Sequence, residues 1–263
     1  MYNIIKSLNF TNRRNLAVVL TVFSMVMLPL ILPVMLGVSM KEVTGDAYLL
    51  NLCGDLFLIW LFPIMILGCI AASGDAGDKT LHYEILAGHS RTRVFFARVL
   101  CALFWSVLLT AFFFYLPLVY YGLLNGWNAE GMRVSDIVLR ALLSLFPMFR
   151  VAAFCIMVSV LFRSAGKGIG FSYLFIELQI MAIEIAGLFF DDMDKKYLSG
   201  AYNVQDLLTL SNSRNYVING EKVEVYETAL EGGNVLWTIA VSLLLGGIYL
   251  AVAYLDFTKR DRS

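Results

Sequence analysis

The sequence predicts an all-α integral membrane protein with six transmembrane helices and both termini in the cytoplasm. Of its 263 residues, 59% are hydrophobic and 15% are charged, whereas about a quarter of the residues of a soluble domain are charged. A bilayer core ~30 Å thick needs about 20 mostly apolar residues per crossing helix, because backbone in lipid must satisfy its own hydrogen bonds. Six stretches meet this requirement: 16–38, 48–72, 94–121, 137–161, 169–190 and 235–255.

The distribution of positive charge orients these helices. Segments on the side of the N-terminus contain twelve basic residues, whereas segments on the opposite side contain six. Because basic loops are retained in the cytoplasm, both termini and the loops at 73–93 and 163–168 are predicted to be cytoplasmic. The chain is therefore expected to be a multi-pass protein of the plasma membrane, with the lipid bilayer as its solvent.

Residues 1–15 precede the first apolar stretch and mix apolar with polar and basic positions. The apolar positions are Ile4, Ile5, Leu8 and Phe10. This composition suits a short helix in the membrane interface, so we expect an elbow helix at the inner surface. A disordered tail is the alternative. Residues 16–263 are then predicted to form one transmembrane domain.

Residues 191–234 form the longest predicted outer loop, and their length indicates a small extracellular cap between spans five and six. Within it, Asn219-Gly220 can adopt the positive φ angles of a type I′ turn. This pair lies between Tyr216–Ile218 and Val223–Tyr226, two segments typical of strands, so a hairpin is predicted here. Residues 204–210 are predicted to form a short amphipathic helix.

The four cysteines all fall within predicted spans. They are Cys53, Cys69, Cys101 and Cys155. The sequence has no CxxC pair and no cysteine in the outer loops, which argues against a disulfide framework and against a zinc site. The cysteines are therefore expected to be small apolar packing residues, and no metal site is expected.

The predicted cytoplasmic loop at 73–93 carries the most specific pattern in the chain. It begins with acidic residues and ends with basic ones. Thr80 can cap a short helix, and Gly88 can end it. The apolar side of this helix would consist of Leu81, Ile85 and Leu86. Such a helix would lie across the cytoplasmic surface between spans two and three.

This loop resembles that of the permease subunits of type-2 ABC transporters, the exporter class that includes bacitracin, lantibiotic and multidrug permeases. After its second span, the family has an acidic residue, then Gly-Thr-Leu, a Leu about four or five residues on, and a Ser-Arg pair before the third span. The matching residues here are Asp75 or Asp78, Thr80, Leu81, Ile85 or Leu86, Ser90 and Arg91. Two positions differ, since Lys79 replaces the usual Gly and His89 replaces a common Pro.

The resemblance implies that the loop is a coupling helix, which docks on a cytoplasmic ABC ATPase subunit and transmits its movements to the spans. The residues implied in this coupling are Asp75, Asp78, Lys79, Thr80, Leu81, Glu84, Ile85, Ser90 and Arg91. A second copy of the chain, or a homologous permease, would complete the pathway. The implied function is export of an amphipathic small molecule, an antimicrobial peptide or a lipid-like substrate by a bacterium, in antibiotic resistance or immunity. A solvated loop that obeys the positive-inside rule is the alternative.

The chain itself is not expected to bind ATP or to be an enzyme. Residues 77–80 read Gly-Asp-Lys-Thr, but a phosphate-binding loop needs Gly directly before the Lys and follows a buried strand. Asp78 would also repel phosphate. No cofactor is therefore expected on this chain, with ATP and Mg²⁺ on the partner subunit, and no nucleic acid is expected as a partner.

The charged residues inside predicted spans include Asp55, Arg150, Glu177 and Glu184, and Arg140 lies near the outer end of span four. A central charge costs ~2.5–3.5 kcal/mol to insert, so such residues are candidates for function. Glu177 and Glu184 share a helix face at depths that bracket Arg150. A polar pathway or gate held by Arg150 and one of these glutamates is one interpretation, and a buried structural ion pair is the other.

Two other functions are alternatives to the exporter. A stand-alone ion-coupled carrier or channel would use the intramembrane carboxylates as its ion site, but no inverted repeat is visible in the sequence. An intramembrane enzyme would need a catalytic motif, and the sequence lacks HExxH, GxSxG and paired catalytic Asp patterns.

Overall fold

The computed structural model describes residues 2–35, 44–45, 48, 57–73, 88–127, 134–187, 198–208, 213–218, 221–226 and 232–259. These residues are almost all helical. In chain order the helices are α1 (Tyr2–Arg14), α2 (Leu16–Met35), α3 (Phe57–Ser73), α4 (Arg91–Leu103), α5 (Thr110–Asn125), α6 (Val134–Phe162), α7 (Ala165–Gly187), α8 (Gly200–Leu208) and α9 (Gly232–Lys259). A π-helical segment, Phe104–Leu109, joins α4 to α5.

Four of the described helices are long and apolar enough to cross a membrane. They are Arg91–Asn125, Ile137–Phe162, Ala165–Ala186 and Gly233–Lys259, and each overlaps a predicted span. These four helices indicate a membrane protein. Helices α2 and α3 overlap the first two predicted spans, but their apolar parts with described side chains are shorter, Leu16–Met27 and Leu61–Ser73, so spans one and two stay predictions.

Helix α6 is at the centre of the bundle, with α3, α7, α8 and α9 packed against it. On one face it presents the small residues Ala152, Cys155 and Ser159, all fully buried. Small side chains allow helix backbones to approach closely where no hydrophobic effect drives association. The approach is closest at Gly168 of α7, where a Cβ atom would lie 2.9 Å from the Cα of Ser159.

The connection between α6 and α7 is shorter than the predicted loop at 163–168. Arg163 takes a positive φ of 50°, and its N–H donates to the carbonyl of Val160 at 3.3 Å. Helix α7 already begins at Ala165. The two helices therefore form a tight antiparallel hairpin, in which most of the predicted loop belongs to α7.

Helix α1 occupies the segment predicted to form the elbow. Ile4, Leu8 and Asn12 follow one another at intervals of four and are buried, so one face of α1 packs against the bundle. Its main neighbour is α4. The position of α1 at the membrane surface stays a prediction.

The predicted outer loop contains both elements expected from the sequence, with different bounds. The helix begins at Gly200 rather than at 204, and the hairpin pairs Ser213–Ile218 (β1) with Glu221–Tyr226 (β2). Ile218 is opposite Glu221, which leaves a two-residue connection as predicted. Residues 219–220 themselves lie outside the described part of the chain.

Helix α8 packs alongside α6 instead of only capping the bundle. Ala201, Val204 and Leu207 form its buried apolar side. Leu198 lies beside Arg150 and Leu207 beside Arg140, so α8 runs antiparallel to α6 alongside residues 140–150. The sequence predicted a small cap here, and the apolar face of α8 explains its burial against α6.

Three of the four cysteines are buried free thiols, which confirms their prediction as packing residues. Cys69 and Cys155 face each other across α3 and α6, where the Cys69 thiol donates to the Cys155 carbonyl at 3.5 Å. Cys53 lies outside the described residues.

Candidate functional site

The predicted coupling loop is described only at its C-terminal end. Seven of its predicted contact residues lie outside the described part of the chain: Asp75, Asp78, Lys79, Thr80, Leu81, Glu84 and Ile85. Ser90 has an extended backbone, and its carbonyl accepts a hydrogen bond from the N–H of Val94 at 3.1 Å. Helix α4 begins at Arg91, so the loop leads into this helix without an intervening linker.

The N-terminal helix is tied to α4 and the π-helical segment by polar contacts. The side-chain oxygen of Asn9 accepts hydrogen bonds from the indole of Trp105 at 2.7 Å and from the thiol of Cys101 at 3.3 Å. The Asn12 amide also contacts the Cys101 sulfur at 3.6 Å. The sequence prediction missed this cluster, although Asn12 follows Ile4 and Leu8 on the same helix face.

The start of α4 also contacts the C-terminal helix. The ring of Phe95 lies 5.3 Å from that of Tyr254 and 5.4 Å from that of Phe257. The hydroxyls of Thr92 and Tyr254 are 3.3 Å apart. The helix that leaves the predicted coupling loop therefore contacts both terminal helices of the chain.

Arg150 is buried, with 4% of its surface exposed. Its guanidinium donates to the carbonyl of Leu198 at 2.7 Å and also hydrogen-bonds the side chain of Tyr249 on α9. Arg140 makes a similar contact at the other end of α8, donating to the Leu207 carbonyl at 3.3 Å. Two arginines of α6 therefore hold the two ends of α8, and Arg140 complements the negative end of the α8 dipole.

The two glutamates lie on another side of α7. Glu177 is half-buried and accepts a hydrogen bond from Tyr173, and Glu184 is exposed. The α7 residues nearest Arg150 are Ile176 and Gln179. At about 100° per residue, Glu177 is rotated around the α7 axis by roughly 100° from Ile176 and by roughly 160° from Gln179. Pairing of Arg150 with either glutamate therefore stays a prediction, and Asp55 lies outside the described residues.

Arg150 lines a small cavity between α6, α7, α8 and α9. Its polar lining comes from Arg150, Gln179, Ser199 and Tyr249. The space open to the centre of a water molecule is about 10 Å³, enough for roughly one water. Of these four polar lining residues, the sequence analysis identified only Arg150 as a candidate. Gln179 could also have been identified, because a glutamine in the middle of an apolar span is unusual.

Ser199, directly before α8, and Asn203 within it have buried polar side chains without a hydrogen-bond partner among the described residues. Ser199 is 0% exposed and Asn203 is 1% exposed. Within the part of the chain that the structure describes, no group hydrogen-bonds the Ser199 hydroxyl or the Asn203 amide. Ser199 lines the cavity next to Arg150, and Asn203 follows one turn later. Unsatisfied buried groups are rare in native proteins, so this end of α8 is a candidate site.

No protein-family model, no curated protein and no solved structure matches this chain. The described residues contain no group of three or more His, Cys, Asp or Glu placed to hold a metal ion.

Proposed function

We propose that this chain is the transmembrane permease subunit of an ATP-driven exporter of the type-2 ABC class. The observation that carries the proposal is the pattern in the loop at 73–93, from the acidic Asp75 or Asp78 through Thr80-Leu81 to Ser90-Arg91. The proposal includes six spans, cytoplasmic termini and an elbow helix at 1–15. It places the chain in the plasma membrane of a bacterium.

The described contacts around α4 support a coupling role for this loop. A docked ATPase that displaced the loop would pull first on α4, because this helix begins at Arg91. Asn9 joins α1 to Trp105, and Tyr254 joins α9 to Phe95, so α4 would move together with both terminal helices. A rigid unit of this kind converts a local displacement into movement of whole helices.

In the proposed complex, two copies of the chain, or this chain and a homologous permease, pair with two ATPase subunits. ATP and Mg²⁺ bind to the ATPase subunits, and the permease supplies the pathway. The proposed substrates are amphipathic small molecules, antimicrobial peptides or lipid-like molecules. An ion-coupled carrier is less well supported, because the described glutamates lie away from the α7 side that lines the cavity.

The first experiment is co-purification with the ABC ATPase encoded beside this chain. The tagged chain should retain the ATPase, and Leu81→Asp should release it, because a charge would replace part of the apolar docking face. Ile218→Asp in the outer hairpin is the matched control and should leave co-purification unchanged. If the chain purified alone and transported substrate with no ATPase present, the proposed function would be wrong.

A further inference from the structure

Helix α1 presents a row of exposed side chains on the side away from the bundle. The buried positions Ile4, Leu8 and Asn12 are four residues apart, and the exposed row repeats at the same interval. The two rows are offset by two residues, which at about 100° per residue corresponds to roughly 200° around the helix. The exposed row therefore points away from the bundle. It alternates an aromatic ring with a basic group and consists of Tyr2, Lys6, Phe10 and Arg14.

The charge on this side of α1 is entirely positive. Arg13 is also exposed, and at about 100° per residue it lies between Tyr2 and Lys6 around the helix. The first acidic residue of the sequence is Glu42, so neither α1 nor α2 contains a carboxylate side chain. The three bases of α1 therefore form a cluster of positive charge that these two helices do not neutralise.

The aromatic rings of the row lie outside the protein core. Tyr2 is 77% exposed, and Phe10 is 57% exposed. The Arg14 guanidinium lies over the Phe10 ring, 4.1 Å from its centroid, which is a cation–π contact. Exposed rings interspersed with bases suit the surface of a membrane, where rings lie at the level of the headgroups and bases attract anionic lipids.

The start of α2 favours a lipid surface over an acidic protein as the partner of this row. Leu16, Val19 and Leu20 follow α1 directly and are exposed. Helix α2 lies in the first predicted span, where exposed apolar side chains would contact acyl chains. A bilayer can therefore cover both the row on α1 and the adjoining apolar surface, whereas an acidic protein surface would match the bases alone.

We propose that the exposed side of α1 binds the phosphate headgroups of anionic phospholipids in the inner leaflet. Lys6 and Arg14 would contact lipid phosphates, and the rings of Tyr2 and Phe10 would lie among the headgroups. Because α1 is hydrogen-bonded to Trp105, bound lipid would also restrain the π-helical segment. This inference rests on the elbow position of α1 in the proposed function, and it does not depend on the ATPase partner.

The test measures which phospholipid lies beside α1 in vesicles. The full chain with Ser7→Cys and Cys53→Ser is labelled with bimane at position 7 and reconstituted in phosphatidylcholine. Ser7 is exposed beside the row, and the described native cysteines are buried. Brominated phosphatidylglycerol or brominated phosphatidylcholine is then added in increasing fractions, and bromine quenches the fluorophore on contact. Phosphatidylglycerol should bind at least about fivefold more strongly, the factor expected for one base beside an anionic surface.

Two charge variants of equal size locate the site. Replacing Lys6, Arg13 and Arg14 with Gln should abolish the preference for phosphatidylglycerol, because the positive charge of α1 is removed. The conservative pair Lys6→Arg and Arg14→Lys should retain it, because charge is conserved. The matched control removes three exposed bases from other segments that are predicted to be cytoplasmic: Arg163→Gln, Lys167→Gln and Lys259→Gln. This control should keep the preference of the parent chain.

The possible failures differ in what they overturn. Equal quenching by the two lipids would overturn the proposal and leave the proposed function unaffected. An equal loss of preference in the matched control would also overturn it, because the charge of the whole inner side would then attract the lipid. Absence of quenching by either lipid would overturn the proposal and would contradict the elbow position of α1 as well.

Discussion

The two sides of α6 differ in how their polar groups are satisfied. On the side of α3, the Ser159 hydroxyl donates to the Cys69 carbonyl at 3.1 Å, and the Ser73 hydroxyl donates to the same carbonyl at 2.9 Å. On the side of α8, Ser199 and Asn203 are buried without a partner among the described residues. At about 100° per residue, Arg150 lies roughly opposite Ser159 on the helix.

This difference separates a structural interface from a candidate binding site. The α3 side is closely packed, and its Ser73 and Ser159 hydroxyls are hydrogen-bonded, so substitutions there should act mainly on stability. The α8 side contains a charge, a cavity and unsatisfied polar groups. A ligand or a movement of α8 could supply the hydrogen bonds that these groups lack among the described residues. Three substitutions test this distinction, and the expected change in unfolding free energy decreases from the first to the third.

The largest effect is expected at the closest approach on the α3 side. Gly168→Ala should destabilise the folded chain by about 1–3 kcal/mol, because the new methyl group would lie 2.9 Å from the Cα and Cβ of Ser159. Gly170→Ala is the control, since nothing lies within 4 Å of its added Cβ. It should stabilise the helix by up to about 1 kcal/mol. Unfolding in mixed detergent measures both variants, and equal effects would refute the close approach.

A smaller effect, opposite in sign, is expected on the α8 side. Asn203→Leu replaces a buried amide that has no partner among the described residues with an apolar side chain of similar branching. The variant should gain about 1 kcal/mol of unfolding free energy, because an unsatisfied polar group is removed. The same unfolding assay measures it. A loss of stability instead would mean that Asn203 is held by a bound molecule or by a residue outside the described part.

The smallest effect on stability is expected at Glu184. This residue is exposed on α7, so Glu184→Gln should change the unfolding free energy by less than about 0.5 kcal/mol. Transport then distinguishes the two interpretations of the intramembrane charges. Loss of transport with unchanged melting and assembly would favour the gate and exclude a purely structural role. Unchanged transport would remove Glu184 from the proposed pathway.

The sequence predicted the long helices well because bilayer thickness fixes their length. Apolar residues 137–161 correspond to a helix at Ile137–Phe162, and 94–121 falls within Arg91–Asn125. The hairpin at the Asn219-Gly220 pair was also predictable, because few dipeptides accept the turn. These features depend on local composition and local backbone preference.

The contacts of the candidate site depend on helix rotation, which the sequence does not encode locally. Depth along each span placed Arg150 near Glu177 and Glu184, but depth gives the height of a residue and not the side that it faces. In the structure Arg150 contacts Leu198 and Tyr249, and its pairing with either glutamate stays a prediction. Residues 191–234 were assigned to a small cap because of their length, which does not show that the apolar face of α8 packs on α6.

The central claim, that the loop at 73–93 docks on a cytoplasmic ATPase, is tested most directly by cross-linking in cells. A photoreactive residue at position 85 should cross-link to an ABC ATPase, whereas the same residue at position 218, in the hairpin that is predicted to lie outside the cell, should not. The cross-link should persist in membranes and disappear when the ATPase gene is deleted. Cross-linking at position 85 to lipid alone, or equal capture of the ATPase from both positions, would contradict the account.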